Sequence, residues 1–481
     1  MAQALARLAH APADEVSFRL DGRRMTGRHG DTVAAALYGA GRRRLGHSLK
    51  HHAPRGLSGS FPAGHLATVE GIPHCRLDRM ALVEGLDVRT EGAWPTPGLD
   101  LLALARLAPR RWLWAGFEHP RAIPNGAPLW LLWERMLARL AGGADAAPRA
   151  RAGGVVAGRR IAADLVVIGG GPAGCAAAAA ASGRVVLVTR GVPASPPGSH
   201  VEVLAGHEAC ALYRGGRLAA AAPHDPRASA VLIDAARVVL ATGRISVPPL
   251  VPGAALPGVL DAATALALAG RHGVPPGRSV AVIGTRDRDK VAERLAGLGV
   301  AVVAVCDAHD VTAVLGRHEV EGLLANGRRI LCDAVVHAGP WRVDPALAFQ
   351  AAAGGELRLS RGELPGHLTV VGDAALPPEP IAMPAQLDGA AYVCPCMDVT
   401  LAEIRHHLKR GVTHVEELKR LTGCGMGACQ GVPCWDLLAA VVARATGASP
   451  EAVGSPSYRA PRGALTFGQA AGLAASTESE P

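Results

Sequence analysis

Aromatic residues make up only 3% of this chain, and lysine is almost missing: of fifty basic residues, four are lysine (Lys50, Lys290, Lys409 and Lys419). The formal charge of +9 therefore rests on arginines, and these are scattered. Nucleic-acid binding calls for basic strips interleaved with aromatic faces, and neither is present, so no nucleic-acid partner is expected. The charge reads as solvated arginine with some subunit-interface pairs. No transmembrane segment is expected either, because the longest apolar stretch, Leu165 to Ser182, is broken by three consecutive glycines and Pro172. The start, Met1 to Arg7, lacks the basic-then-apolar order of a secretory signal. Nor do the ten cysteines form an oxidised framework: Cys75, Cys175, Cys210, Cys306 and Cys332 are dispersed and read as small buried hydrophobes, which points to a reducing, cytoplasmic setting. No repeat has a fixed period, and alanine bias is the sole low-complexity feature. At 481 residues, two to four domains are expected.

Against these absences stand four clustered cysteines: Cys394-Pro-Cys396, then 32 intervening residues, then Cys429-Gln-Gly-Val-Pro-Cys434. Paired thiolates at short spacing, brought together by the stretch between them, make an all-sulfur site suited to zinc or to iron–sulfur chemistry. Thr400-Leu-Ala-Glu403 predicts a capping box opening one helix and Thr413-His-Val-Glu416 a second, so two short helices should bridge the pairs. The run Thr422 to Gly431 is rich in glycine, which lets backbone amides reach the sulfurs, a contact that tunes reduction potential. Cys424, within that run, is a fifth thiol placed where it would substitute for Cys429.

A second pattern lies mid-chain. Asp164-Leu-Val-Val-Ile168 is a short apolar run followed by Gly169-Gly170-Gly171-Pro172-Ala173-Gly174 and an alanine-rich segment. Strand, glycine turn and helix in that order predict a dinucleotide site. Gly169 makes the tight bend, Gly171 admits a pyrophosphate to the backbone, and Gly174 lets the helix pack on the strand, with the helix N-terminus facing the phosphates. The next strand, Arg184 to Val188, should end on an acid for the ribose hydroxyls, but Thr189-Arg190 stands there, and the intervening helix reads one turn short. A loop, Gly191 to Gly198, precedes Val201-Glu-Val-Leu204. Farther on, Ser279 to Ile283 and Val300 to Val305 read as strands around an amphipathic helix, Asp289 to Leu298. Their turn, Gly284-Thr-Arg-Asp-Arg-Asp289, holds one glycine where three are wanted, and Asp287 and Asp289 would repel a pyrophosphate. This half predicts a retained fold without an NAD(P) site.

At the N-terminus, Val16 to Gly27 alternates as a hairpin with a turn at Asp21-Gly22, and Asp31 to Tyr38 begins a helix. The layout resembles the β-grasp of plant-type ferredoxins, yet the candidate cluster loop, Arg44 to Gly56, has no cysteine. His47, His51 and His52 fall in it. With no carboxylate or cysteine at ligand spacing, they read as surface or interface residues.

The run Thr422-Gly-Cys-Gly-Met-Gly-Ala-Cys429-Gln-Gly431 with Cys434 resembles the bacterioferritin-associated-ferredoxin-like 2Fe-2S domain, in the version found in opine-oxidase and cyanide-synthase flavoproteins. That resemblance implies Cys394, Cys396, Cys429 and Cys434 as metal ligands and leaves Cys424 out. Ala236 to Thr242-Gly243 and Leu368 to Gly372-Asp373 resemble two further segments of two-dinucleotide-domain flavoproteins, in which the final Asp approaches the flavin ribityl chain. Arg44 to Gly56, the stretch Trp114 to Phe117 with Trp130 to Glu134, and Tyr458 to Gly468 resemble segments of the α subunit of heterotetrameric sarcosine oxidase. The large folate-binding half of that subunit has no counterpart, so the nearer resemblance is to the α subunits of opine oxidases, D-hydroxyproline dehydrogenases and hydrogen cyanide synthase.

The resemblance implies an α/β fold: a two-dinucleotide-binding-domain flavoprotein core, an N-terminal β-grasp lacking cluster cysteines, and a small C-terminal helical 2Fe-2S domain. The expected division is residues 14–110 for the β-grasp, 111–158 as linker, 159–386 for the FAD/NAD(P)-type domain, 390–450 for the cysteine domain and 451–481 as tail, with Ala474 to Pro481 fraying. The implied function is an electron-transfer subunit of a heteromeric amine or imino-acid dehydrogenase or oxidase, cytoplasmic or peripheral to the inner membrane. A glycine-oxidase-like flavoprotein β subunit would oxidise the substrate while this chain relays electrons through FAD and 2Fe-2S to an acceptor. FMN at a subunit interface is compatible with the resemblance. No residue set for substrate oxidation is legible in this chain. Two rivals remain: an NAD(P)H-dependent flavin and iron–sulfur reductase, and a non-catalytic assembly subunit with a degenerate flavin fold.

Overall fold

The computed structural model describes residues 4–96, 99–107, 154–352, 364–463 and 465–478. Of the expected linker (residues 111–158), residues 111–153, which hold its tryptophan-containing segments, lie outside the described residues. The chain forms two compact units that interleave along the sequence: Met1–Ala150, Ser246–Trp341 and Glu379–Val453 make the first, and Arg151–Ile245, Arg342–Pro378 and Gly454–Pro481 the second.

The first unit opens with the hairpin β1 (Glu15–Leu20) and β2 (Arg23–Arg28), joined where expected at Asp21 and Gly22, both at positive φ as a two-residue hairpin turn requires. Thr32 caps α1 (Val33–Gly39), its Oγ1 accepting from Ala35 N at 3.2 Å. The hairpin β3 (Arg44–His47) and β4 (Pro54–Gly56) follows, then β5 (Leu66–Val69), β6 (Ile72–Arg76), β7 (Asp87–Thr90) and the short ladder β8 (Pro95–Thr96) with β9 (Leu99–Asp100). The main sheet runs β2-β1-β7-β5-β6, with β1 and β7 parallel, the β-grasp arrangement.

The second unit is built on β10 (Arg159–Ile168), α2 (Pro172–Ala179), β11 (Val185–Thr189) and β12 (Val201–Ala205). A meander of β13 (His207–Tyr213), β14 (Leu218–Pro223) and β15 (Val231–Leu240) completes its centre. β10, β11, β12 and β15 are parallel neighbours. The expected short helix is α2, eight residues long, and residues 191–198 form a loop.

The nucleotide-type half of the first unit contains β16 (Val259–Asp261), α3 (Ala262–His272), β17 (Val280–Gly284), α4 (Arg288–Gly297) and β18 (Val302–Asp307), then three short strands and β22 (Ala334–Ala338). Its parallel sheet runs β16-β22-β17-β18. α1 is buried all round because its alanine-rich surface is covered by the β-grasp sheet on one side and by residues of α3, β17 and β22 on the other, so both modules share one apolar core. Tyr38 is wholly buried there, and its hydroxyl donates to Pro276 O at 2.6 Å, which satisfies the polar end of the ring.

Back in the second unit, β23 (Leu368–Val370) pairs in parallel with the end of β15, whose beginning pairs with β14. The cysteine segment belongs to the first unit: β24 (Tyr392–Cys394), β25 (Val399–Thr400), α5 (Leu401–Lys409), α6 (Val415–Thr422) and α7 (Cys434–Thr446). Thr400 caps α5 as expected, accepting from Glu403 N at 3.3 Å. The second expected box is corrected: α6 is capped at His414 without a side-chain bond, and Glu416 and Glu417 in its first turn compensate the exposed amides electrostatically. Fraying from Ala474 is also corrected, since a helix covers Phe467–Glu478. Of the five dispersed cysteines four are buried, while Cys306 is partly exposed on β18. Among the described residues no helix is long and apolar enough to cross a membrane.

Candidate metal centre and nucleotide turn

Cys394 ends β24, Cys396 lies in the turn after it, Cys429 closes the glycine loop, and Cys434 begins α7. All four are buried, as is Cys424. The sulfurs of Cys394, Cys429 and Cys434 lie within 4.8 Å of one another, and those of Cys429 and Cys434 are 3.4 Å apart. Cys396 and Cys424 lie close enough to interact electrostatically with these sulfurs. Folding thus gathers all five thiols. Burial pushes the Cys394 thiol up, but S–H donation from Cys424, Cys429 and Cys434 and the N–H of Gly425 outweigh it, holding Cys394 well below the usual thiol range. One thiolate ringed by thiols is a donor set primed for metal.

The glycine loop does what its composition predicts: Gly425 N donates to Cys394 Sγ at 3.3 Å. Its glycines have a second cause that local reading missed. A Cβ on Gly425 would fall 2.0 Å from Trp435 Nε1, and one on Gly431 2.3 Å from the same ring, so the loop wraps the indole. Trp435 Nε1 donates to Cys424 O at 3.0 Å, tying the first turn of α7 to the loop.

The β3–β4 hairpin lies against this centre. Asp398, fully buried between the two cysteine pairs, accepts at Oδ2 from the amides of Lys50 and His51, both at 2.8 Å, and at Oδ1 from Arg55 Nη2 at 2.7 Å. Arg55 sits over the Tyr392 ring, 4.7 Å from its centroid. Lys50 Nζ donates to Thr422 O at 3.1 Å and stands 3.6 Å from Glu403 Oε1, beyond a hydrogen bond, so charge alone links the pair. Burial pushes the Glu403 carboxyl up to about 7 against the pull of Lys50. His51 and His52 are buried, correcting their expected surface placement.

In the second unit the glycine turn has the expected form. Gly169 has φ +118, which L side chains rarely adopt, and a Cβ there would meet Ala241 O at 2.2 Å. A Cβ on Gly174 would lie 1.9 Å from Gly169 O, whereas the space over Gly171, the N-cap of α2, is open. Pro172 and Ala173 form the first helical positions. Thr242 borders Gly169, Gly243 follows it at φ +68, and Gly372 approaches Ala173 so closely that a Cβ would sit 2.5 Å from the alanine methyl, with exposed Asp373 next. Open space beside a helix N-terminus fits a pyrophosphate. The ribose side fits less well: Thr189 is buried against Gly170, and Ala194 N donates to Gly170 O at 2.9 Å, so the loop after β11 folds onto the turn.

The turn after β17 is closed by side chains of its own together with two from farther along the chain. Thr285 Oγ1 donates to Glu379 Oε2 at 2.8 Å, and Arg288 bridges Thr285 O and Asp307 Oδ2 at 3.0 and 2.8 Å. Asp307 ends β18, where a ribose-binding acid would stand, and is engaged by arginine.

Comparisons with known proteins agree with this architecture. Residues 13–93 match a 2Fe-2S iron-sulfur cluster binding domain, although this stretch contains Cys75 as its single cysteine. Residues 388–474 match the sarcosine oxidase A3 domain. Sarcosine oxidase subunit alpha of Rhizobium meliloti (strain 1021) is 30% identical over 595 residues, an alignment that takes in 95% of this chain and 58% of that protein. The crystal structure of L-proline dehydrogenase from P. horikoshii superposes with a TM-score of 0.72 at 21% identity, covering 96% of this chain and 99% of that one, which shows a shared fold. The chain is thus similar to that α subunit along nearly all of its own length while spanning 58% of the relative.

Proposed function

We propose that this chain is the electron-transfer subunit of a heteromeric amine or imino-acid dehydrogenase or oxidase, an oxidoreductase acting on CH–NH donors. The observation that carries the reading is the buried set of thiols gathered around Cys394, in a chain similar to the sarcosine oxidase α subunit. Cys394, Cys396, Cys429 and Cys434 would hold a 2Fe-2S cluster, and Gly169 to Gly174 with Thr242, Gly243, Gly372 and Asp373 would hold FAD. When bound, these groups supply the one- and two-electron chemistry that side chains lack. The chain itself positions and insulates: Gly425 offers an amide to a ligand sulfur, Trp435 and the apolar residues around the thiols exclude water, and Arg55 and Lys50 place positive charge beside a site that gains negative charge on reduction. Substrate oxidation is assigned to a flavoprotein β subunit, and the chain acts in the cytoplasm or on the inner face of the membrane.

Arg288 and Glu379 filling the second turn argue against the NAD(P)H-dependent reductase. Thr189 and the loop folded on Gly170 favour, as a second reading, an assembly subunit whose nucleotide fold is a scaffold. Anaerobic purification, alone and with a co-expressed β subunit, followed by quantification of flavin, iron and sulfide separates them. Two irons, two sulfides and about one FAD per chain support the relay. Iron without flavin supports the scaffold, and zinc with neither iron nor flavin also supports the scaffold and overturns the relay.

A further inference from the structure

The β3–β4 hairpin carries three histidines, and His51 is the one turned to Tyr392, its Nδ1 3.0 Å from the phenol oxygen. We propose that the other two, His47 and His52, form with Asp100 a mononuclear site for a divalent transition-metal ion of zinc or ferrous type, separate from the cysteine centre. His47 ends β3 and His52 lies just before β4, so the hairpin brings both imidazoles to one corner, where the rings stack with centroids 4.3 Å apart. Asp100 arrives from β9, 48 residues beyond His52, and its Oδ2 meets His52 Nε2. One donor atom from each residue lies within 4.8 Å of the other two.

Two imidazole nitrogens and one carboxylate oxygen are a donor set that binds zinc with an open fourth position, or ferrous iron with open octahedral positions. A histidine–carboxylate pair needs only one imidazole, and the second at the same corner completes three donors. The carboxylate is oriented in advance. Asp100 Oδ1 accepts from the amides of Trp94 and Leu102 at 3.2 and 3.1 Å, which leaves Oδ2 for the imidazole side. His52 is 1% exposed while His47 and Asp100 are half-buried, so the corner is open to solvent on one side, where an ion could enter. Binding draws the donors to the roughly 3.3 Å spacing that ligands about 2.0–2.1 Å from one ion adopt, and His47 turns out of the stack to aim its nitrogen. The local sequence hides the site because its carboxylate lies beyond the histidine stretch.

The test uses the full chain with its cysteine centre occupied, whether by iron and sulfide or by zinc, so that the outcome does not depend on which of these it holds. Weakly held metal is removed by chelation and Co2+ alone is titrated. The expected result is one Co2+ per chain, with weak visible bands, no thiolate-to-cobalt absorption in the near ultraviolet, and two exchangeable, hyperfine-shifted imidazole N–H signals. His47→Ala and Asp100→Ala should each weaken Co2+ binding by at least about 100-fold while the metal content of the cysteine centre stays unchanged. Absence of bound Co2+, a thiolate band accompanying it, or wild-type affinity in both variants overturns the site. Should either variant fail to fold, the imidazole signals of the wild-type chain decide: two support it, fewer overturn it.

Discussion

Residues 44–56 and 394–434 are the two stretches where an iron–sulfur protein of this layout would keep its thiols, and they have diverged in opposite directions. The first sits in a β-grasp that matches a cluster-binding family over residues 13–93, yet it has no cysteine, and its amides at Lys50 and His51 point to Asp398. The second gathers five thiols, with an amide aimed at sulfur. A cluster-binding backbone and a set of cluster ligands are thus separable: once the thiols are gone, the same amide-rich loop serves as a clamp for a neighbouring centre.

The sharpest way to break the comparison is to make the second loop resemble the first. Cys429→Ser or Cys434→Ser should take iron and sulfide from two per chain to near zero, whereas Cys424→Ser should leave both in place; iron lost in Cys424→Ser alone would reverse the ligand assignment. Removing the clamp comes next. Asp398→Ala leaves Arg55 buried without its counter-charge and should cost roughly 3–5 kcal/mol in urea unfolding, with faster hydrogen exchange at the Lys50 and His51 amides as the local sign.

Glu403 gives the cysteine region a pH signature of its own. Its folded pKa, near 7, lies above its unfolded value, so the stabilisation is full below about pH 4 and is lost as pH rises through 7. Urea midpoints between pH 5 and 8 should fall more steeply for the wild type than for Glu403→Gln, by up to roughly 3 kcal/mol across that window. The smallest effect is a control. Thr32→Ala and Thr400→Ala remove equivalent caps in the two regions, and each should cost about 1 kcal/mol in thermal or urea unfolding; a much larger loss at Thr400 would mean that its hydroxyl serves the centre as well as the helix.

Local signals were legible where short-range physics decides. The Asp21-Gly22 hairpin turn, the Thr400 cap, the strands around Gly169 to Gly174 and the steric need for Gly174 all follow from residues within a few positions of one another. The Thr413 cap was misplaced by one residue because Thr413 and His414 are adjacent and the glutamates of the first turn fit either start. The Asp398–Arg55 bond spans 343 positions, and no periodicity encodes it. Trp435 likewise reads as an ordinary helix residue until the glycines of the preceding loop are seen to wrap its ring. The closure of the second turn was legible in part: the missing glycines were visible, but the Glu379 and Asp307 that fill the space were not.

The strand β15 is divided between partners, β14 at its start and β23 at its end, the latter more than 120 residues later. Glu379–Val453 then returns to the first unit before the second is finished by residues from Gly454 on. During synthesis, therefore, neither unit is complete when its opening segments leave the ribosome. The first waits for residues up to Val453 and the second for residues from Gly454 on, and the end of β15 lacks its β23 partner until Leu368–Val370 has emerged, so apolar surface stays open to aggregation in the meantime.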